Sequence, residues 1–82
     1  MNRIRFTYRN QDCIAIRYKG ETEALAVARS IRRREPRVHG VSMRQDSTAA
    51  DGSCAVYEAR LDGASDKFGS RPFRNVWVTI YR

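Results

Sequence analysis

The sequence predicts an α+β fold in the order β-β-α-β-β-β, with a single helix packed on a mostly antiparallel sheet. Three observations carry that reading. Apolar and polar residues alternate at a period of two in five separate stretches. In one stretch only, between Gly20 and Pro36, the period changes to that of a helix. Clusters rich in Asn, Asp, Gly and Ser separate the stretches. Without repeats, linkers or low-complexity runs, the 82 residues form one domain, residues 1–82, whose core must be thin.

The first strand covers residues 3–9, with Ile4, Phe6 and Tyr8 on one side and Arg3, Arg5, Thr7 and Arg9 on the other. Asn10-Gln11-Asp12 supplies a turn, and Cys13 to Lys19 forms the second strand with Ile14, Ile16 and Tyr18 on one face. Gly20 ends it. Ala24, Val27, Ala28 and Ile31 then share one helical face, with Leu25 at its margin, which predicts a helix over about 22–34. Thr22 suits the N-cap, Glu21 and Glu23 the positive end, and Arg32, Arg33 and Arg34 the negative end. Pro36 stops continuation. Val38 to Gln45 makes the third strand through Val41 and Met43, and Asp46 to Gly52 reads as a long hairpin loop. Ser53 to Leu61 places Ala55, Tyr57, Ala59 and Leu61 opposite Cys54, Val56, Glu58 and Arg60. A loop from Asp62-Gly63 to about Ser70 leads into the last strand, Pro72 to Tyr81.

One helix covers one face of a sheet, so the other face must be polar or meet a partner. If Ile4, Phe6 and Tyr8 face the helix, Arg3, Arg5, Thr7 and Arg9 face away, joined by Arg60, Phe73, Asn75, Trp77, Thr79 and Tyr81. Arginine pairs bidentately with phosphate and stacks on bases, and Trp and Tyr stack on unpaired bases. Basic side chains interleaved with aromatics on an open sheet suit single-stranded nucleic acid. The competing reading is packing, because a thin core uses every large side chain. A one-residue slip would also turn every side chain over, and the arginine row would equally guard an edge strand.

A second basic patch lies at the end of the helix. Arg29 and Arg33 share its outer surface, with Arg32 and Arg34 at the borders and Arg37 just past Pro36. Complementing a helix dipole needs one or two cations; five point to an anionic partner. The whole chain carries a formal charge of +7, and 14 of its 16 basic residues are Arg. RNA, DNA or an acidic protein surface would satisfy that charge.

Catalytic groupings are absent from the sequence. His39 is the single histidine, and Gly40-Val41-Ser42-Met43 lacks the closing glycine of a nucleophile elbow. Neither a phosphate-binding nor a dinucleotide glycine pattern occurs, so no cofactor is implied. Cys13 and Cys54 have no C-x-x-C spacing and, with one histidine, do not compose a zinc set. They would meet as a disulfide only if the second and fourth strands came close. The amino-terminal Met1-Asn2-Arg3-Ile4-Arg5 has no signal-peptide apolar region and no stretch is long enough for a bilayer. The expectation is a non-enzymatic cytoplasmic protein with reduced thiols and no membrane partner.

From Cys13 onward the chain resembles some small phage-encoded anti-CRISPR proteins in layout. The shared elements are a strand, an Ala-rich helix (Glu21 to Arg34), two strands, and a final strand opening with Arg71-Pro72-Phe73. The resemblance implies an inhibitor that docks on a guide-RNA surveillance complex and blocks DNA binding or nuclease recruitment. Many members are acidic and imitate DNA; a basic chain would instead touch bound RNA or acidic patches on a Cas protein. The lead expectation is therefore a mobile-element inhibitor of a Cas ribonucleoprotein complex. Its charged contacts would come from Arg29, Arg32, Arg33 and Arg37, with Arg3, Arg5 and Trp77 secondary. The alternatives are a free-standing single-stranded RNA- or DNA-binding module, and an assembly component in which Phe73, Trp77 and Tyr81 seal a homodimer.

Overall fold

The computed structural model describes residues 2–9, 13–63 and 73–82. The elements are β1 (Asn2–Tyr8), β2 (Ile14–Tyr18), α1 (Glu23–Arg34), β3 (Gly40–Thr48), β4 (Cys54–Asp62) and β5 (Phe73–Tyr81), in the order expected for one helix on an antiparallel sheet. The strands lie side by side as β2-β1-β5-β4-β3, and every neighbouring pair is antiparallel. β2 and β3, which α1 joins, occupy opposite edges. The helix therefore crosses one whole face of the sheet and touches both edge strands.

The helix begins where the Thr22 hydroxyl accepts the Leu25 backbone N–H at 3.2 Å and ends with the Glu35 N–H on the Arg32 carbonyl at 3.3 Å. Its buried stripe is Ala26, Val27, Ala28 and Ile31, with Ala24 half-buried at the border and Leu25 exposed. Facing it are Ile4, Phe6 and Tyr8 of β1, Ala55, Tyr57, Ala59 and Leu61 of β4, and Val78 and Ile80 of β5. The period-two alternation of each strand thus puts one set of side chains inside. The Phe6 and Tyr8 rings stack at 6.0 Å.

Two expectations need correction. First, the loop expected from Asp46 to Gly52 begins later, because its first three residues are strand. β3 continues through Thr48 across a bulge between Gln45 and Ser47, and the turn shrinks to residues 49–53. The extension is polar and exposed because β3 is an edge strand, so it carries no apolar alternation to read. Second, Arg9 does not face away from the helix. It follows β1 with a left-handed φ of 54°, which swings its guanidinium back to the Glu35 carboxylate at the helix C-cap. The expectation of reduced thiols holds, because the strand order keeps Cys13 and Cys54 apart. β1 and β5 intervene between β2 and β4, a separation of roughly 14 Å, against a limit of about 7 Å for bridged Cα atoms. Both thiols are free. The turn at 10–12 and the loop residues 64–72 lie outside the described residues.

Two loop positions give testable consequences. Asp51 accepts the Ser53 N–H at 2.9 Å, and hydrogen bonding from the Ser53 side chain first and this N–H second holds its carboxyl below the usual aspartate range. A lowered folded-state pKa adds stability above the ordinary aspartate range and loses it as pH falls through the folded value. Melts of wild type and Asp51→Ala should therefore differ at neutral pH and converge in strong acid. Gly63 has φ 83°, and a Cβ there would collide with the His39 ring. Gly63→Ala should lower stability by about 1–2 kcal/mol, each kcal/mol lowering Tm by roughly 4–8 °C in a thermal melt.

Candidate functional site

The face opposite the helix is built by the outward positions of all five strands. On the β2–β1 side, Arg3 pairs in register with Arg17 and Arg5 with Ala15. Across β1 and β5, Arg5 lies opposite Tyr81 and Thr7 opposite Thr79. On the β4–β3 side, Trp77 faces Glu58, which in turn faces Arg44, and Asn75 faces Arg60. Trp77 is 58% exposed and Tyr81 39% exposed, so neither of these two side chains is core packing. Phe73 is placed by its backbone pairing with Asp62 alone.

Charge divides this face in two. Arg44 reaches Glu58 at 3.2 Å and Arg60 reaches Asp62 at 2.8 Å, which neutralises much of the β4–β3 side. Arg3, Arg5 and Arg17 are exposed and form no ion pair among the described residues. Like charges directly opposite, as Arg3 and Arg17 are, are destabilising by roughly 0.2–1 kcal/mol. These three arginines line an open groove of about 680 Å³ together with Ala15, Tyr81 and Arg82. A second hollow of about 370 Å³ lies between Thr7 and Trp77.

Arg82 belongs to the groove by position but is committed elsewhere. Its Nε donates to both Glu23 carboxylate oxygens at 3.1 Å and its Nη1 to the Gly52 carbonyl at 2.9 Å. The bond to Glu23 raises its pKa further. Arg82 thus clips the end of β5 to the helix N-terminus and the β3–β4 turn.

The helix end forms the other cationic surface. Arg29 is tied to Glu21 at 2.7 Å, so it is less available than its spacing implied. Arg32, Arg33, Arg34 and Arg37 are exposed and unpaired among the described residues. This patch lies on the helix side of the sheet, away from Arg3, Arg5 and Trp77. The residues expected to act together therefore sit on two opposite surfaces.

Sequence reasoning overlooked Arg17 as a site residue, although its alternation with Ile16 and Tyr18 already turned it outward. Nothing in the sequence signals the Arg82–Glu23 clip, which joins residues 59 positions apart. Between the two surfaces, the Tyr8 hydroxyl is buried without a hydrogen-bond partner among the described residues. Burial pushes its pKa up, Glu35 adds to this, and Arg34, Arg9 and Arg74 oppose it.

Among the described residues no group of three or more His, Cys, Asp and Glu side chains could hold a metal, and no helix is long and apolar enough to cross a membrane. No family model matches the chain, and no curated protein or solved structure matches it either.

Proposed function

We propose that this chain is a small non-enzymatic binding protein that grips a nucleoprotein complex, most concretely an anti-CRISPR inhibitor docking on a nucleic-acid-guided Cas complex. One observation carries the reading. All four glutamates are committed to ion pairs, with Arg9, Arg29, Arg44 and Arg82, while seven exposed arginines have no acidic partner among the described residues. Those seven are Arg3, Arg5, Arg17, Arg32, Arg33, Arg34 and Arg37. A fold that distributes its acids in this way leaves a surplus of cationic groups displayed for a polyanionic partner. Layout supports the inhibitor form, and charge directs it to bound RNA or an acidic Cas surface.

Expression in a host whose CRISPR system targets an infecting phage tests this. The wild-type chain should restore plaque formation, and reversal of Arg32, Arg33 and Arg37 to Glu should weaken the effect while the melting curve stays cooperative. Undiminished interference across hosts of several CRISPR types would sink the inhibitor form.

The second reading, a free-standing single-stranded RNA- or DNA-binding module, is favoured by the exposure of Trp77 and Tyr81. A homodimer sealed through the open face has less support. A two-fold interface there would bring the unpaired arginines of two copies toward one another. Molar mass in solution checks that point.

A further inference from the structure

We propose that the open sheet face is a seat for single-stranded RNA, with phosphates along Arg3, Arg5 and Arg17 and bases stacked on Tyr81 and Trp77. The proposal rests on the reading above, that the cationic surface grips a partner containing nucleic acid, and names the element of that partner which this face takes.

Charge specifies a polyanion. Arg3 and Arg17 oppose each other across β1 and β2, Arg5 is two residues along, and no carboxylate among the described residues answers them. A row of phosphates removes that repulsion. An isolated acidic side chain would answer only one of the three.

The aromatics specify exposed bases. Tyr81 is next to Arg5 in register, and Trp77 lies four residues along the same strand and face. Their Cα atoms are about 13 Å apart, a span of roughly four nucleotides at a stacked spacing of about 3.4 Å. The arginine row is one to two strand spacings from β5, about 5–10 Å. Phosphates can therefore run along β1 and β2 while their bases lean over β5. In a duplex the base faces are already stacked on one another, and Trp77 and Tyr81 would have nothing to receive.

The residues between the aromatics specify the sugar. Thr79 lies between Trp77 and Tyr81 and is directly opposite Thr7. Neither hydroxyl has a side-chain hydrogen bond among the described residues, and Asn75 is exposed one step beyond Trp77. Two neighbouring hydroxyls and an amide are the groups that engage a ribose 2′-hydroxyl.

Trp77 is the sole tryptophan, so its emission reports on this face alone. The full chain would be titrated with a short oligouridylate, the matching DNA oligomer and an RNA duplex, by tryptophan fluorescence and by anisotropy of the labelled oligomer. Saturable quenching by the oligouridylate is expected, with binding at least about tenfold weaker for duplex and weaker for DNA. Trp77→Ala and Tyr81→Ala should each weaken anisotropy-detected binding by roughly 5- to 150-fold, the range of one stacked base. Arg3→Gln with Arg5→Gln should weaken it too, whereas Arg33→Gln with Arg37→Gln should leave the quenching in place. Far-ultraviolet circular dichroism confirms that each variant is folded. No quenching at low salt, equal binding of duplex, or equal binding of DNA overturns the proposal. So does binding to an acidic protein alone with no response to RNA. If RNA is not bound while wild type still blocks CRISPR interference, this proposal fails and the reading of the preceding section stands. If RNA is bound and interference is untouched, that reading fails and this one stands.

Discussion

Phe6→Ala is expected to remove a large share of the stability of the fold, and Trp77→Ala almost none of it. Phe6 is fully buried under the helix, stacked on Tyr8 and paired in register with Ile14 and Ile80 on its two neighbouring strands. Deleting such a ring costs about 3–5 kcal/mol. A domain of this length has only about 4–12 kcal/mol in total. At roughly 4–8 °C per kcal/mol, Tm should fall by about 12–40 °C. Trp77 is the larger side chain, yet 58% of it is in solvent and it faces away from the helix. Its removal should stay within about 0.5 kcal/mol. Paired thermal melts decide the matter. A Trp77→Ala variant as damaged as Phe6→Ala would mean that the aromatics of β5 are packing, and the open-face site would lose its foundation.

That contrast shows which parts of this protein can be read from sequence. Period-two alternation separates Ile4, Phe6 and Tyr8 from Arg3, Arg5 and Thr7 because burial acts on every second residue of a strand. The same physics assigns Ala55, Tyr57, Ala59 and Leu61 inward on β4 and Trp77, Thr79 and Tyr81 outward on β5. The helix is legible twice over, in its apolar stripe and in the Thr22 cap and Pro36 stop. Where burial is weak, the signal fades. Asp46, Ser47 and Thr48 read as loop because an exposed edge strand needs no apolar residue. Arg9 escapes the alternation because a positive φ ends the strand's regular pleat. Strand order is also hidden. Alternation says which face a residue takes and nothing about which strand lies beside it, so neither the β1–β5 pairing nor the separation of Cys13 from Cys54 follows from the pattern. The site suffers in the same way. The arginines are obvious in number, but their division into two surfaces, and the loss of Arg29 and Arg82 to internal carboxylates, depend on contacts between distant parts of the chain.

Salt dependence should count the arginines that a nucleic acid uses, and so distinguish one surface from two. Binding to a single strand loses affinity with a logarithmic slope of about −0.7 for each phosphate neutralised. If Arg3, Arg5 and Arg17 are the contacts, the slope is about −2, and raising salt from about 50 to about 200 mM weakens binding roughly 20-fold. If the strand also wrapped to Arg32, Arg33, Arg34 and Arg37, the slope would approach about −5 and the loss would be near a thousandfold. Fluorescence titrations across a salt series measure this directly. Neutralising Arg5 should flatten the slope by about 0.7, while neutralising Arg33 should leave it unchanged. The opposite pattern would place the nucleic acid on the helix end. The aromatic face would then be left without a role, because Trp77 and Tyr81 are on the far side of the sheet from those charges.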